Sequence, residues 1–438
     1  MPSSPDTILL AVKPAPIDTR RRLRLRRIGR TRLLIFMSIM GPGLITAMAD
    51  NDAPGITTWS VAGARYGYRL LWVAMLILPI LIVTQEMGAR MGVVTGKGLA
   101  ALIRERFSLK VTAFAMLAVL IANFGTTVAE FSGVGAAFSL AHVPPWACVP
   151  PVALGVWLLV TRGSYRRVER IFLVLSALYV TYVIAGLLSH PDWKQAAHGA
   201  VVPTISSQTI WLITVIAAIG TTVTPWGQFF IQATIVDKKI SIREYVNTRA
   251  EVILGGALTI AVDFFIVVAC AATLFKHGVL VNTARDAAEA LKPFAGSAAA
   301  FLFGFGLLNV SILAAAILPL ATAYALCEAF GFESGLDQKF SEAPVFNGLL
   351  TFFIFVPAAV AIIPRLPLVK VMLLTQDVNG VLLPIILIYV LKIVNDRSIM
   401  GEYVNGHVYN AIAWAFSAFL IILTVLLVAS TLPLGLRF

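Results

Sequence analysis

Charged residues are scarce in this sequence. Asp, Glu, Lys and Arg together make up 13% of the 438 residues, whereas they make up about 25% of a typical soluble domain. Hydrophobic residues make up 59%, and they recur in runs of roughly 20 residues, the length of a helix that crosses a bilayer. These features exclude a soluble enzyme, a nucleic-acid-binding domain and a disordered scaffold. They predict an all-α polytopic membrane protein.

Cysteine and histidine are also rare, at three and five residues. Cys148, Cys270 and Cys327 are too widely spaced for a disulfide or metal pattern, and we interpret them as apolar filler. The histidines fall in loops or at span ends, which argues against a haem-carrying subunit. No phosphate-binding GxxxxGK[ST] loop occurs. We therefore expect neither an enzyme nor a resident cofactor.

Hydropathy and helix-breaking residues predict about eleven transmembrane helices. They belong to a single transmembrane domain over residues 33–432, preceded by a basic segment at 1–32. The predicted spans lie near residues 33–62, 68–93, 111–138, 146–161, 169–188, 208–236, 250–275, 295–328, 346–364, 370–394 and 409–432.

Positive charge is distributed unevenly along the chain. Nine of the 34 Lys and Arg residues precede position 33, and most of the others fall in alternate loops. By the positive-inside rule, we expect the N-terminus in the cytoplasm and the C-terminus outside the cell membrane. The basic segment is expected to contact anionic lipid headgroups rather than nucleic acid. The sequence does not define the oligomeric state.

Two spans contain residues that do not suit an ordinary membrane helix. The first contains Asp50-Asn51-Asp52-Ala53-Pro54-Gly55, and the sixth contains Gly220-Thr221-Thr222-Val223-Thr224-Pro225-Trp226-Gly227. Interrupted helices at equivalent places in two five-helix halves indicate an inverted repeat with a central binding site. The halves would be residues 33–188 and 208–394, with an extra helix at 409–432. The alternative is two independent proline kinks that face protein.

The two interruptions offer oxygen ligands. Asp52 supplies a carboxylate, Thr221 and Thr224 supply hydroxyls, and unwound backbone supplies carbonyls. Such a set suits a hard cation such as Mg²⁺ or Mn²⁺. Asp50 and Asn51 could assist, although in a continuous helix they would point away from Asp52.

Several motifs resemble those of the natural-resistance-associated macrophage protein (NRAMP) family of divalent metal transporters. They include Gly41-Pro42-Gly43 before the Asp52 break, the run from Gln85 to Lys97 and Ala129-Glu130 with Gly133. The stretch from Gln376 to Leu382-Leu383-Pro384, followed by Met400-Gly401 and Asn405, is also similar. The resemblance implies the LeuT-type fold, built from a 5+5 inverted repeat, with broken helices 1 and 6 around the ion.

The sequence departs from the family at its metal ligands. The family's first break reads Asp-Pro-Gly-Asn, and Gly55 stands here at the asparagine position. Its sixth break reads Ala-x-x-Met-Pro-His, and the chain has Thr221, Thr224, Pro225 and Trp226 there. This pattern is similar to that of the NRAMP-related magnesium transporters. We therefore predict alternating-access import of Mg²⁺, with Mn²⁺ also carried, by a metal site of Asp52, Gly55, Thr221, Thr224 and Gln376.

The residues that the family links to proton movement are also altered. Trp226 replaces the histidine of the sixth span, and Thr127 replaces an acid three residues before Glu130. Glu130 and Trp226 stay candidates for a proton or gating role, although Glu130 could instead hold a neighbouring helix. We expect transport without proton coupling. Glu86 is expected to pair with Arg90, four residues on.

Two alternatives stay open. One is a proton-coupled Mn²⁺ and Fe²⁺ transporter of the ordinary NRAMP type. The other is a secondary transporter of amines or amino acids on the same fold. Asp52 disfavours an amino acid, because a fixed anion would repel the substrate carboxylate.

Overall fold

The computed structural model describes residues 41–206, 208–363 and 368–431. Over these ranges the regular structure is helical. We number the helices α1 Pro42–Ala49, α2 Ala53–Tyr66, α3 Leu71–Thr95, α4 Leu99–Arg106, α5 Leu109–Ser139, α6 Pro145–Arg162, α7 Tyr165–Ala177, α8 Val180–Leu188, α9 Trp193–Val201, α10 Thr209–Thr222, α11 Pro225–Asp237, α12 Tyr245–Thr273, α13 Ala284–Phe330, α14 Pro344–Ala361, α15 Leu368–Val394, α16 Arg397–Met400 and α17 His407–Thr431. Short 3₁₀ turns at Gly67–Leu70 and Phe275–His277 complete the described helical structure.

Ten segments of the described chain are long and apolar enough to cross a membrane. They correspond to the second through eleventh predicted spans, and the segment Ala53–Thr95 also contains the second half of the first. The beginning of the first span and the basic segment 1–32 lie outside the described residues. The all-α polytopic architecture is therefore confirmed.

The first and sixth spans are both broken where the sequence predicted. α1 ends at Ala49 and α2 begins at Ala53, while α10 ends at Thr222 and α11 begins at Pro225. A proline lacks the N–H that would continue the ladder, and its ring collides with the preceding turn. Each second half-helix starts with a proline in its first turn and a side-chain cap, from Asp52 in α2 and Thr224 in α11.

α12 lies beside both halves of the first span. Gly255 of α12 packs against Ala47, and Gly63 of α2 packs so closely on α12 that a Cβ atom there would lie 2.8 Å from the Val267 carbonyl oxygen. Every residue of α1 is buried. The broken span therefore lies in the interior of the bundle rather than on its lipid-facing surface.

The eighth predicted span is longer than expected. α13 runs from Ala284 to Phe330, and its backbone turns sharply at Gly296, where φ is +84°. Only glycine adopts such a conformation easily. The predicted start at residue 295 coincides with this turn, and the preceding residues form an additional amphipathic helical segment that hydropathy did not reveal.

Contacts between loops place the predicted cytoplasmic loops at one end of the bundle. Arg106 pairs with Asp396 at 2.9 Å, Lys238 pairs with Glu169 at 2.7 Å, and the Tyr165 N–H donates to Asp337. The predicted pair of Glu86 and Arg90 is confirmed, at 3.1 Å. The three cysteines are buried and unbridged, as expected of apolar filler. Which end faces the cytoplasm stays a prediction.

Candidate metal site at the two helix breaks

Asp52 is held at the start of α2 and is fully buried. One carboxylate oxygen, Oδ1, accepts from the Gly55 N–H at 2.7 Å and from the Thr221 hydroxyl at 3.3 Å. Among the residues that the structure describes, its other oxygen, Oδ2, has no hydrogen-bond partner. The first two contacts fix the orientation of the carboxylate, and the second oxygen is left to receive a ligand.

Gly55 lies in direct contact with this arrangement. A Cβ atom at Gly55 would lie 2.9 Å from the Thr221 hydroxyl oxygen and 3.1 Å from Asp52 Oδ1. Both distances are shorter than ordinary van der Waals contact, so a side chain at residue 55 would require Thr221 to move. The absence of a side chain at 55 and the hydroxyl at 221 are therefore sterically linked.

Asp50 also reaches the break, contrary to the expectation from a continuous helix. Its Oδ1 accepts from the Thr224 hydroxyl at 2.7 Å, and its Oδ2 accepts from the Gln85 side-chain amide at 2.7 Å. The interruption between α1 and α2 reorients the chain, and helical geometry does not relate Asp50 to Asp52. Thr224, which we predicted beside Asp52, instead binds Asp50, and it caps α11 through the Gly227 N–H at 3.1 Å.

Backbone carbonyls add to the oxygen atoms at the breaks. Pro54 and Pro225 have no N–H, so the carbonyls four residues earlier, of Asp50 and Thr221, lack their usual helical donors. The Asp50 carbonyl oxygen lies 3.5 Å from the position of a Cβ atom at Gly55. The breaks therefore present neutral carbonyl oxygens next to the two carboxylates.

The backbone of Gln376, in α15, packs against Gly220, the residue before Thr221 in the sixth span. A Cβ atom at Gly220 would lie 2.8 Å from the Gln376 carbonyl oxygen, so only glycine allows this approach. The Gln376 side chain is buried and accepts from Asn379 at 3.4 Å. Its amide nitrogen and the Asn379 side-chain oxygen have no partner within the described part of the chain. Gln376 is thus adjacent to the break, with an unsatisfied polar group.

Glu130 touches the first break from α5. Its Oε2 accepts from the Ala53 N–H, the first amide of α2, at 3.2 Å. Its Oε1 has no hydrogen-bond partner among the described residues. Glu130 therefore holds the neighbouring helix α2, which is one of the two roles that the sequence left open for it. The contact also places a third acid beside Ala53, the residue that follows Asp52.

Trp226 fills the histidine position of the sixth break. It is fully buried and packs edge-on against Phe230, with ring centroids 6.3 Å apart. Its indole N–H finds no partner in the described ranges. Asn51, by contrast, is directed away from the break, because its amide donates to the Thr259 carbonyl at 3.2 Å.

The donor atoms assembled at the breaks are all oxygens. In the described part of the first span, the sulfur atom is that of Met48, which accepts from the Thr259 hydroxyl on α12 at 4.0 Å. Within the described ranges, no three His, Cys, Asp or Glu side chains converge as a metal-binding group. A cation bound here would be held by carboxylate oxygen together with hydroxyl, amide and carbonyl oxygens, which is chemistry suited to hard divalent ions.

Sequence comparison agrees with the fold and with the motifs. The family described as natural resistance-associated macrophage protein-like (Nramp) matches residues 43–430. The divalent metal cation transporter MntH of Burkholderia ambifaria is 28% identical over 401 residues, which cover 89% of this chain and 87% of the relative. MntH of Deinococcus radiodurans is 27% identical and covers 90% of this chain and 89% of its own length.

Solved structures of low sequence identity share the architecture. A manganese transporter from Eremococcus coleocola superposes with a TM-score of 0.74 at 22% identity, over 90% of this chain and 86% of that one. MhsT in complex with L-phenylalanine superposes with a TM-score of 0.57 at 14% identity, over 89% and 98% of the two chains. These similarities confirm the LeuT-type fold that the resemblance implied. The family match, which spans nearly the whole described chain and agrees with the two broken helices, shows that this chain belongs to the Nramp family.

Proposed function

We propose that the chain imports divalent metal cations across the cell membrane by alternating access, with Mg²⁺ preferred and Mn²⁺ also carried. One observation carries the choice of ion. Thr224 stands where the family has a methionine, and its hydroxyl binds a carboxylate rather than presenting sulfur. The donor set at the breaks is therefore entirely oxygen.

An oxygen-only site favours Mg²⁺ for two reasons. A thioether is a soft donor, which gains more from Mn²⁺ or Cd²⁺ than from Mg²⁺, so its absence removes a reason to prefer the softer ions. Mg²⁺ also dehydrates reluctantly and is usually held by one or two carboxylates with several of its waters retained. Asp52 offers such a hydrated ion one carboxylate oxygen that has no hydrogen-bond partner among the described residues.

The transport step would proceed without protons. At the two family positions linked to proton movement, Trp226 cannot take up a proton and Thr127 binds the Asn123 carbonyl of its own helix at 2.7 Å. Neither residue titrates near neutral pH. The inward-negative membrane potential would supply the driving force instead, with the N-terminus in the cytoplasm and its basic segment on anionic lipid.

The alternative is a proton-coupled Mn²⁺ and Fe²⁺ transporter of the ordinary Nramp type. Two observations favour it. The solved structure from Eremococcus coleocola is that of a manganese transporter, and one oxygen of Glu130, beside the first break, has no hydrogen-bond partner among the described residues. The two functions differ in ion preference and in whether acid enters with the metal.

Uptake into liposomes containing the purified protein tests the proposal. Mg²⁺ uptake should exceed Mn²⁺ uptake at equal concentration, Ca²⁺ uptake should be small, and Asp52→Asn should abolish transport because it removes the carboxylate charge. Asp263→Asn is a matched control, because Asp263 is a buried acid on α12 that accepts from Thr222 at 3.4 Å. Near-normal uptake by a folded Asp52→Asn protein would contradict the site, and Mn²⁺ uptake well above that of Mg²⁺ would favour the alternative.

A further inference from the structure

Asp50 is a buried carboxylate that the proposed Asp52 site does not use. It is 1% exposed and lies at the end of α1, in the same break as Asp52. The two acids contact different partners from the sixth span: Thr221 donates to Asp52, and Thr224 donates to Asp50. Each carboxylate also lies at the start of a half-helix, Asp52 at α2 and Asp50 beside the first turn of α11.

Asp50 is held by hydrogen bonds to both of its carboxylate oxygens. The Thr224 hydroxyl accepts from the Gly227 N–H, so its own hydrogen is available for Asp50 Oδ1. The Gln85 amide donates to Oδ2. Both carboxylate oxygens therefore act as acceptors. The ion pairs found among the described residues do not include Asp50, so no basic side chain pairs with it there.

Two glutamine side chains close to these contacts each have an amide oxygen without a hydrogen-bond partner among the described residues. Gln85 and Gln228 are at most 1% exposed, and within the described chain their Oε1 atoms have no hydrogen-bond partner. Gln228 is one turn after Thr224 on α11, and a Cβ atom at Gly88, three residues after Gln85, would lie 3.7 Å from its Oε1. Buried amide oxygens normally have a hydrogen-bond donor or a cation as their partner, so these two oxygens are candidate ligand atoms.

We propose that Asp50, Thr224, Gln85 and Gln228 form a second binding position for a divalent cation, distinct from the position at Asp52. The inference rests on the proposed transport of divalent cations and extends it to a second carboxylate along the same break. A carboxylate with a hydroxyl and two amide oxygens suits a hard cation that keeps some of its waters. The Gln85 amide would turn its oxygen towards the ion, which leaves Asp50 free to bind it.

The inference is tested by Mn²⁺ binding to the purified full-length protein, followed by loss of the electron paramagnetic resonance signal of free Mn²⁺. Asp52→Asn should bind Mn²⁺ about tenfold more weakly than the wild type but still measurably, because the second carboxylate persists. Asp50→Asn/Asp52→Asn should show no specific binding. Asp263→Asn/Asp52→Asn, which removes a different buried acid, should bind like Asp52→Asn alone.

Three results would overturn the second position. The first is the absence of Mn²⁺ binding by folded Asp52→Asn, and the second is equal Mn²⁺ binding by Asp52→Asn and Asp50→Asn/Asp52→Asn. The third is a loss of Mn²⁺ binding in Asp263→Asn/Asp52→Asn as large as the loss in Asp50→Asn/Asp52→Asn. If the double Asp variant is not recovered folded, Gln85→Met/Asp52→Asn takes its place. It should weaken the residual binding about tenfold, and unchanged binding would contradict the assignment. A wild-type protein that binds neither Mn²⁺ nor competing Mg²⁺ would overturn the proposed function itself, and this inference with it.

Discussion

At the scale of single residues, Gly55 and Thr221 behave as one unit. The hydroxyl of Thr221 lies close to the space that a side chain at residue 55 would need, and it donates to Asp52 from there. The family pairs asparagine with alanine at these two positions, whereas this chain pairs glycine with threonine. Exchanging one ligand without the other would therefore produce a steric conflict rather than the family's site.

This linkage predicts the behaviour of selectivity variants. Gly55→Asn alone should lower uptake of every divalent ion by about tenfold or more, because the new side chain displaces Thr221 from Asp52. Gly55→Asn/Thr221→Ala/Thr224→Met should recover uptake and move preference from Mg²⁺ towards Mn²⁺ and Cd²⁺, since a thioether is a soft donor. Competitive uptake in liposomes measures both effects, with Thr221→Ala as the control. A triple variant that kept the Mg²⁺ preference would show that direct ligands do not select the ion.

At the scale of elements, the half-helix α1 is anchored at its N-terminal end by α12. Its C-terminal end leads into the break, and its N-terminal amides are capped by another helix. Glu251 of α12 accepts from the Gly41 N–H at 3.1 Å and from the Gly43 N–H at 3.3 Å. A carboxylate at this end both satisfies free N–H groups and complements the helix dipole. Because the break interrupts the backbone ladder, α1 depends on such contacts rather than on α2 for its position.

Glu251→Ala should therefore loosen α1 locally. Charge-assisted hydrogen bonds are each worth about 1.5–3 kcal/mol, so hydrogen exchange at residues 42–49 should quicken by roughly tenfold or more. Glu244→Ala is the matched control, because the Glu244 side chain is exposed and accepts from the nearby Ser241 rather than from α1. Hydrogen–deuterium exchange with peptide mass spectrometry makes the comparison. Unchanged exchange at 42–49 in Glu251→Ala, or an equal increase in the control, would contradict the capping role.

At the scale of the whole molecule, one end of the bundle is tied together by a polar network. Arg90 of α3 binds Glu86, donates to the Tyr403 carbonyl at 2.7 Å, and contacts Asn405, while the Tyr245 hydroxyl of α12 also contacts Glu86. This network joins three parts of the chain at the end that we predict to be cytoplasmic. The residues of the proposed metal site, in contrast, lie in the buried interior. In the proposed alternating access, the helices would have to rearrange before a cation bound there could leave.

Uncoupled transport predicts a specific response to voltage. A dication that enters through a potential of 100 mV gains about 2.3 kcal/mol for each charge, which is sufficient to drive accumulation. In liposomes with a clamped potential, inside-negative voltage should speed the entry of Mg²⁺ and Mn²⁺. An internal pH dye should show that the interior does not acidify as the metal enters. Glu130→Gln, which keeps an oxygen to accept from Ala53, should leave this proton balance unchanged. Acidification that follows metal entry and disappears in Glu130→Gln would establish coupling through that acid.

The sequence alone determined the parts of this protein that depend on local chemistry. Long apolar runs specified the membrane helices, and Pro54 and Pro225 specified both breaks, because a missing N–H interrupts a helix wherever it occurs. The motifs were sufficient for the family, and the spacing of Glu86 and Arg90 was sufficient for their pair. The turn inside α13 was not predicted, since hydropathy does not detect a single glycine with positive φ.

Only the tertiary structure decided which oxygens meet at the breaks. Helical geometry predicts the relative directions of the Asp50 and Asp52 side chains only if the chain between them is helical. The break removes that relation. The approach of α3 and α11 then directs Asp50 to Gln85 and Thr224, while Asp52 is left with Gly55 and Thr221. Gln85 is separated from Asp50 by 35 residues and Thr224 by 174. Such pairings arise from the packing of distant helices, for which a single sequence carries no local signal.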